Sequence, residues 1–187
     1  MNDISPVTEP VRIAVGRRGS NAVADFIAAA YVEHEARIHG MLLGATRDPE
    51  LAADITQEAF LRLLAEARAG RLPAAPGAWL YRTASNLVIS RARRESVARR
   101  FAPRLLRRDD TAGPESMAVE HERSRSMSDI LARLPIADRT ALIMAAQGLS
   151  GEDIAAALGK SHGATRTLLF RARERLRQAM VEPEDQR

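Results

Sequence analysis

The chain of 187 residues is long enough for one domain or two small helical ones, and its 45% hydrophobic content suffices for packed cores. Aromatic residues make up only 4%, so those cores must be built from Ala, Leu and Ile, a composition that favours helices over sheets. The formal net charge is +4, every basic residue except Lys160 is an arginine, and the absence of cysteine excludes disulfides, cysteine nucleophiles and thiolate metal sites.

Residues 1–20 read as a flexible basic leader. Val11–Val15 is too short for a signal-peptide core and is followed by arginines, and no apolar run in the chain reaches membrane-spanning length, so a cytoplasmic protein without membrane insertion is expected. From Asn21 to Leu43 the spacing of Val23, Phe26, Ile27, Ala30, Tyr31, Ile38 and Leu42 predicts a helix, broken at Gly44 and Thr46–Arg47. Asp48-Pro49-Glu50 restarts it: Asp caps, Pro suits the first helical position, and Glu meets the positive end of the helix dipole. Ile55, Ala59, Phe60, Leu63 and Leu64 form the apolar stripe of this second helix. Asp54, Glu58 and Arg62 stand four apart on another face with Gln57 beside them, either as a solvated ion-paired surface or as a docking face.

A proline-rich loop over Gly70–Gly77 precedes a helix from about Ala78 to Arg94 and onward toward Arg100, with Leu80, Ala84, Leu87 and Val88 inward. Arg82, Asn86, Ser90 and Arg93 line another face, flanked by Trp79, Tyr81, Arg91 and Arg94. From Trp79 to Arg108 nine arginines face a single glutamate, Glu95. Arginines that track phosphates, with aromatic rings that stack on bases, suit single-stranded or locally opened nucleic acid. The alternative is that Trp79 and Tyr81 plug a small core. Periodicity fades from Phe101 to Arg125, where Pro, Asp, Gly and Glu accumulate; residues 101–126 read as a linker.

Met127–Leu134 predicts a short helix ending at Pro135, and Ala137–Gln147 another, with Leu142, Ala145 and Ala146 packing and Gly148 as its stop. Ser150 and Asp153 have the spacing of a reciprocal cap, Ile154, Ala155 and Leu158 form an apolar face, and Gly159 ends the helix. Ser161 caps a last helix rich in arginine. Two helices separated by so short a turn read as a helix-turn-helix or as an ordinary helical hairpin with a solvated arginine face. In the first reading His162, Thr165 and Arg166, near the N-terminus of the second helix, are candidate base readers, although Thr165 also fits an inward position beside Leu169 and Leu176. Arg171, Arg173, Arg175 and Arg177 cannot all face DNA, because alternate helical residues point about 200° apart.

Nothing points to catalysis. The chain lacks a glycine-rich phosphate loop with Lys-Ser/Thr, a nucleophile elbow and a zinc-protease His-Glu motif. His34 and His39 are five apart, which does not align them, and no third metal ligand accompanies them, so neither a metal nor a cofactor is expected.

Taken together, these motifs resemble the sigma-70 family of RNA polymerase sigma factors, in its small extracytoplasmic-function (ECF) group. The family's region 2 pattern stands here as Asp54-Ile-Thr-Gln57-Glu58-Ala-Phe60-Leu-Arg62-Leu63 and as Ala78-Trp79-Leu80-Tyr81-Arg82-Thr-Ala84-Ser-Asn86-Leu87. Region 4 begins at Leu134-Pro135 and runs through Gly148-Leu149-Ser150, Asp153-Ile154-Ala155, Leu158-Gly159 and Arg171-Ala-Arg173-Glu-Arg175-Leu176. The resemblance implies an all-α protein of two small helical domains, 21–100 and 127–180, joined by a flexible linker, the second containing the helix-turn-helix. It implies a non-catalytic subunit. Asp54, Gln57, Glu58 and Arg62 would grip the clamp helices of the largest core polymerase subunit, and the second domain would touch the flap of the second-largest subunit. Trp79, Arg82, Asn86, Arg91, Arg93 and Arg94 would hold the promoter −10 element, and Ser161, His162, Thr165, Arg166 and Arg171 the −35 element. An anti-sigma factor is a further expected partner. A sigma-like adaptor that binds an anti-sigma factor without initiating transcription is the alternative.

The chain departs from the family pattern in three places. Pro76 stands where an aromatic is usual, Ser90 where an aspartate is, and Ala164-Thr165-Arg166-Thr167-Leu168 where Thr-Val-Lys-Ser-Arg is usual.

Overall fold

A computed structural model describes residues 17–101 and 127–181. They form helices α1 (Arg17–Thr46), α2 (Pro49–Arg68) and α3 (Pro76–Phe101), a short helical segment α4 (127–132), and α5 (Ile136–Ala146), α6 (Gly151–Leu158) and α7 (His162–Val181). The architecture is all-α. The expected linker, apart from Phe101 at the end of α3, and the leader up to residue 16 lie outside the described residues. Arg17 to Ser20, expected in that leader, belong instead to α1.

Local chemistry sets the helix ends. Asp48, extended at φ −127° and ψ 106°, accepts a hydrogen bond from the Leu51 amide (3.0 Å) with Pro49 in the first turn, a cap worth about 1 kcal/mol. Ser150 and Asp153 form the reciprocal cap of α6: the Asp153 amide donates to Ser150 Oγ (3.1 Å), and the Ser150 amide donates back to Asp153 Oδ2 (3.2 Å). Gly159, at φ 60°, ends α6, and the Lys160 amide reaches back to the Ala155 carbonyl at 2.9 Å, a Schellman closure. The Ser161 hydroxyl then accepts from the Ala164 amide (3.2 Å) at the start of α7.

The expected break at Gly44 does not occur. The α1 helix runs through it and stops at Arg47, which takes φ 60°. Gly44 lets Ile143 of α5 approach closely: a Cβ there would lie 2.9 Å from Ile143 Cδ1, so the tip of that side chain would have to shift.

Helices α1, α2 and α3 pack on one another, as do α5, α6 and α7, and the two sets also meet: α6 lies against α3, and α5 against α1 and α3. One apolar cluster therefore runs through both, from Ile38, Leu42, Leu63 and Leu80 to Met144, Ile154, Leu158 and Leu169. Burial of each such side chain contributes roughly 1.5–3 kcal/mol.

This double packing changes which faces are inside. Met41 and Ala45, absent from the expected α1 stripe, are fully buried, whereas Tyr31 is 49% exposed. On α5 the buried residues are Asp138, Thr140, Ala141 and Met144, while Leu142 and Ala145 are half-buried and Ala146 is exposed. The α5 helix is held between α1 on one side and α7 on the other, so its inward arc is set by two neighbours.

Candidate nucleic-acid interface

Three separate surfaces carry the candidate residues. The first is the outer arc of α3. Leu80, Tyr81, Ala84, Ser85 and Val88 are buried, which turns Arg82, Asn86, Ser90, Arg93 and Arg94 to the opposite, exposed side. At about 100° per residue, Arg82, Asn86, Ser90 and Arg93 fall within an arc of roughly 80°. Arg91 is not on it: it lies about 180° from Arg82 and pairs with Glu95 (3.3 Å). Trp79 is half-buried against the core at the edge of the stripe, where part of its ring remains accessible. Tyr81 is buried, and its hydroxyl donates to Gln147 Oε1 (2.9 Å), so it is a packing residue and not a base platform.

The second surface is the front of the helix-turn-helix. Thr165, Leu169 and Ala172 are buried, with Leu168 and Leu176 half-buried beside them. Ser161, His162, Arg166 and Arg171 are exposed. Thr165 is 0% exposed, and this corrects its candidacy as a base reader: its side chain points into the core, where its hydroxyl has no hydrogen-bond partner. Arg166 and Arg171 lie about 140° apart around the helix and flank an outer strip holding Thr167 and the 65% exposed Phe170. A helix in a groove meets both walls, so the two arginines can take different roles, one on a base edge and one on phosphate. The arginines behind them are engaged elsewhere: Arg175 pairs with Asp138 of α5, and Arg177 with Glu174 (2.5 Å).

The third surface is the outer face of α2. Asp54, Gln57 and Arg62 are exposed and Glu58 is half-exposed, and Arg62 Nε pairs with Glu58 Oε1 at 2.7 Å. Leu61, 52% exposed, stands among them. Sequence reasoning did not name it as a candidate, although the spacing of Ile55, Ala59, Phe60, Leu63 and Leu64 already leaves it off the apolar stripe. Beside this ridge a groove of about 490 Å³ runs between α1 and α2, lined by Tyr31, Phe60, Leu61, Leu64 and Gln57 among others. Tyr31 reaches over Phe60, with ring centroids 5.0 Å apart and planes tilted by 55°. Of the four candidate docking residues only Gln57 lines the groove.

Among the described residues, no group of three or more His, Asp or Glu side chains is placed to hold a metal, and no helix is long and apolar enough to cross a membrane.

A helical protein with a capped helix-turn-helix and a separate cationic helix face is a nucleic-acid-binding protein of the helix-turn-helix class. Comparison with known proteins defines it further. The model of "Sigma-70 region 2" matches residues 30–98, and that of "Sigma-70, region 4" matches residues 124–176. The chain is 30% identical to the RNA polymerase sigma-H factor of Pseudomonas aeruginosa, over 88% of this chain and 89% of that one. It is 31% identical to the RNA polymerase sigma factor CarQ of Myxococcus xanthus, over 82% and 88%. Its fold is similar to that of the sigma factor RpoE from Bartonella quintana, solved with the anti-sigma factor NepR (TM-score 0.66, 21% identity, 85% of this chain and 99% of that one). It is also similar to CnrH, solved with the cytosolic domain of CnrY (TM-score 0.58, 20% identity, 87% and 94%). The chain belongs to the sigma-70 family of RNA polymerase sigma factors, in its ECF group. It is accordingly a non-catalytic specificity subunit of RNA polymerase.

Proposed function

We infer that this sigma factor docks on core RNA polymerase through the outer face of α2 and directs initiation by engaging a −10 element with α3 and a −35 element with α7. The observation that carries the reading is that three chemically distinct faces stand free at once: a cationic stripe on α3, an arginine-flanked helix front on α7, and a polar ridge with an apolar groove on α2. Arginines suit phosphate and guanine edges, whereas a mixed apolar and charged ridge suits a protein partner. On α2 the docking surface takes in Tyr31 and Leu61 as well as Asp54, Gln57, Glu58 and Arg62, and the groove receives apolar side chains of the largest subunit's clamp helices. On α3, Arg82, Asn86, Arg93 and Arg94 hold the opened −10 strand with Trp79 at the edge, and Arg91 contributes once released from Glu95. On α7, Ser161, His162, Arg166 and Arg171 meet the −35 duplex, and the same unit rests on the flap of the second-largest subunit.

The protein works in the cytoplasm, where polymerase and promoter are. RpoE and CnrH were each solved with a partner, NepR and the cytosolic domain of CnrY, and by likeness to them an anti-sigma factor holds this chain in check. Runoff transcription from genomic DNA with purified core enzyme tests the reading. Specific start sites that appear only when the protein is added are expected. Failure to bind core polymerase, with anti-sigma binding retained, would favour the adaptor reading instead.

A further inference from the structure

We infer that His34 is a positioning residue for strand engagement: its ring, seated over Gly77, fixes the register of α3 on α1 and so where Trp79 and the arginine stripe stand. The inference rests on the −10 reading above for its consequence in transcription, but not for the contact itself.

His34 heads a row on α1 that continues through Ile38, Met41 and Ala45, at steps of four, three and four residues, and those three are fully buried. Gly77 heads a row of the same steps on α3, through Tyr81, Ala84 and Val88, all buried. Steps of three and four keep to one side of a helix, and α1 and α3 pack on one another. The two rows begin with an imidazole on one helix and no side chain on the other. A Cβ at Gly77 would lie 2.8 Å from His34 Cε1, 3.0 Å from Nε2 and 3.3 Å from Nδ1. The ring therefore rests on the bare backbone of the first turn of α3. Its side chain is only 15% exposed, and Glu33 Oε1, at 3.7 Å from Nε2, is beyond hydrogen-bond length. Shape, and not a bond to Glu33, holds the ring in place.

This contact selects one register. Gly77 is the only glycine in α3, and its neighbours Pro76 and Ala78 each carry a Cβ. A slip of α3 by one residue is a rise of about 1.5 Å with a turn of about 100°. It would bring Pro76 or Ala78 under the ring and put Tyr81 or Thr83 where Arg82 stands. Trp79 belongs to the same first turn as Gly77, and Arg82 follows one turn later. His34 need not touch DNA itself; it acts through α3.

The single tryptophan, Trp79, reports the seating in the free full chain. Its quenching by acrylamide should rise about twofold in His34→Ala, as a loosened helix end requires, and stay near wild type in His34→Phe, which keeps a flat ring. On a promoter mapped by runoff, permanganate reactivity of the opened thymines should fall about tenfold in His34→Ala, while core polymerase binding stays within about twofold. Equal loss of both would make His34 a general packing residue and overturn the inference. Gly77→Ala tests the contact from the other side. It should reduce opening in the wild-type background but leave His34→Ala no worse, because the ring it would meet is gone; losses that multiply would overturn the contact. Should either single variant fail to fold, the double variant decides: it should fold, and its failure to do so overturns the inference. If the wild type opens no promoter, the −10 reading fails, while Trp79 still decides the seating, which unchanged quenching in His34→Ala overturns.

Discussion

Asp138, in the first turn of α5, accepts an ion-paired hydrogen bond from Arg175, thirty-seven positions later on α7, with the aspartate side chain 10% exposed and the arginine 50%. The pair fastens the helix after the turn to the helix before it, so Arg175 is a staple inside the helix-turn-helix unit and not one of its DNA contacts. Arg175→Ala leaves a buried carboxylate without its counter-ion. Because the arginine is half in solvent, the cost should fall below that of a fully buried pair, at roughly 1–3 kcal/mol. Arg177→Ala, which breaks only a surface pair with Glu174, should cost about 0.5 kcal/mol or less. Urea unfolding of the two variants, compared with wild type, measures the difference.

Thr165 carries the opposite kind of feature, a buried hydroxyl with no partner. The Ser161 carbonyl, which a helical threonine one turn later often uses, here accepts the Thr165 amide (2.9 Å). Thr165→Val removes the hydroxyl at nearly constant shape and should stabilise the chain by about 1 kcal/mol. Binding to −35 duplex should not change, since the side chain is out of reach of DNA. Thermal melting and a duplex titration check the two halves, and a lower melting temperature would mean that the hydroxyl has a partner in solution.

The α2 face should respond to both of its chemistries. Asp54→Ala with Glu58→Ala, and separately Leu61→Ser, should each weaken core polymerase binding about tenfold or more, as truncation of an interface anchor does. All three residues are outside the core, so circular dichroism should be unchanged. Loss of helicity would make them structural.

For the recognition helix, the expectation separates base from phosphate contact. If Arg166 reads a guanine, Arg166→Ala should lose roughly 1–3 kcal/mol of discrimination between matched and mismatched −35 duplexes. If it contacts phosphate, binding should weaken for all sequences alike and the salt slope should fall by about one. The same series on Arg171→Ala, on the other flank of α7, should give the complementary result.

Tyr81, bonded from α3 to Gln147 at the end of α5, gives this packing a pH dependence. Burial raises its hydroxyl above the ordinary tyrosine value of 10.0, partly opposed by the nearby Arg37. The folded chain therefore holds the Tyr81 proton more tightly than the unfolded chain does. Its contribution to stability is complete below about pH 10, the value of an exposed tyrosine, and is lost as pH rises through the raised value. The single tryptophan, Trp79, lies two residues away and reports the change. An alkaline titration of its fluorescence should show a transition above pH 10 that Tyr81→Phe removes; a transition of equal size in Tyr81→Phe would assign it to another group.

Most of the helix boundaries, the helix-turn-helix and the family itself were open to reading from the chain, because the signals are local. Asp48 caps within three residues, Ser150 and Asp153 cap each other, and Gly159 takes φ 60°. Each is a matter of backbone donors and side-chain oxygens a few bonds apart. Periodicity likewise grouped Arg82, Asn86 and Arg93 on one face of α3, whatever lies behind it.

What a face meets was decided only in three dimensions. Tyr31 and Met41 have equal claim to the α1 stripe by spacing, yet Tyr31 is outside over a groove and Met41 is fully inside. Gly44 reads as a helix stop and proves to be a notch for Ile143, ninety-nine positions away. Thr165 and Arg166 are neighbours with similar polarity in the string, but one is buried and the other exposed. Gln147 shows nothing in the sequence that marks it, since its partners Tyr81 and Arg37 are 66 and 110 positions distant. Helical spacing determines which residues share a side; the packing of α5 and α6 onto α1 and α3 determines which side is covered, and that depends on contacts between units whose separation in the chain no local pattern encodes.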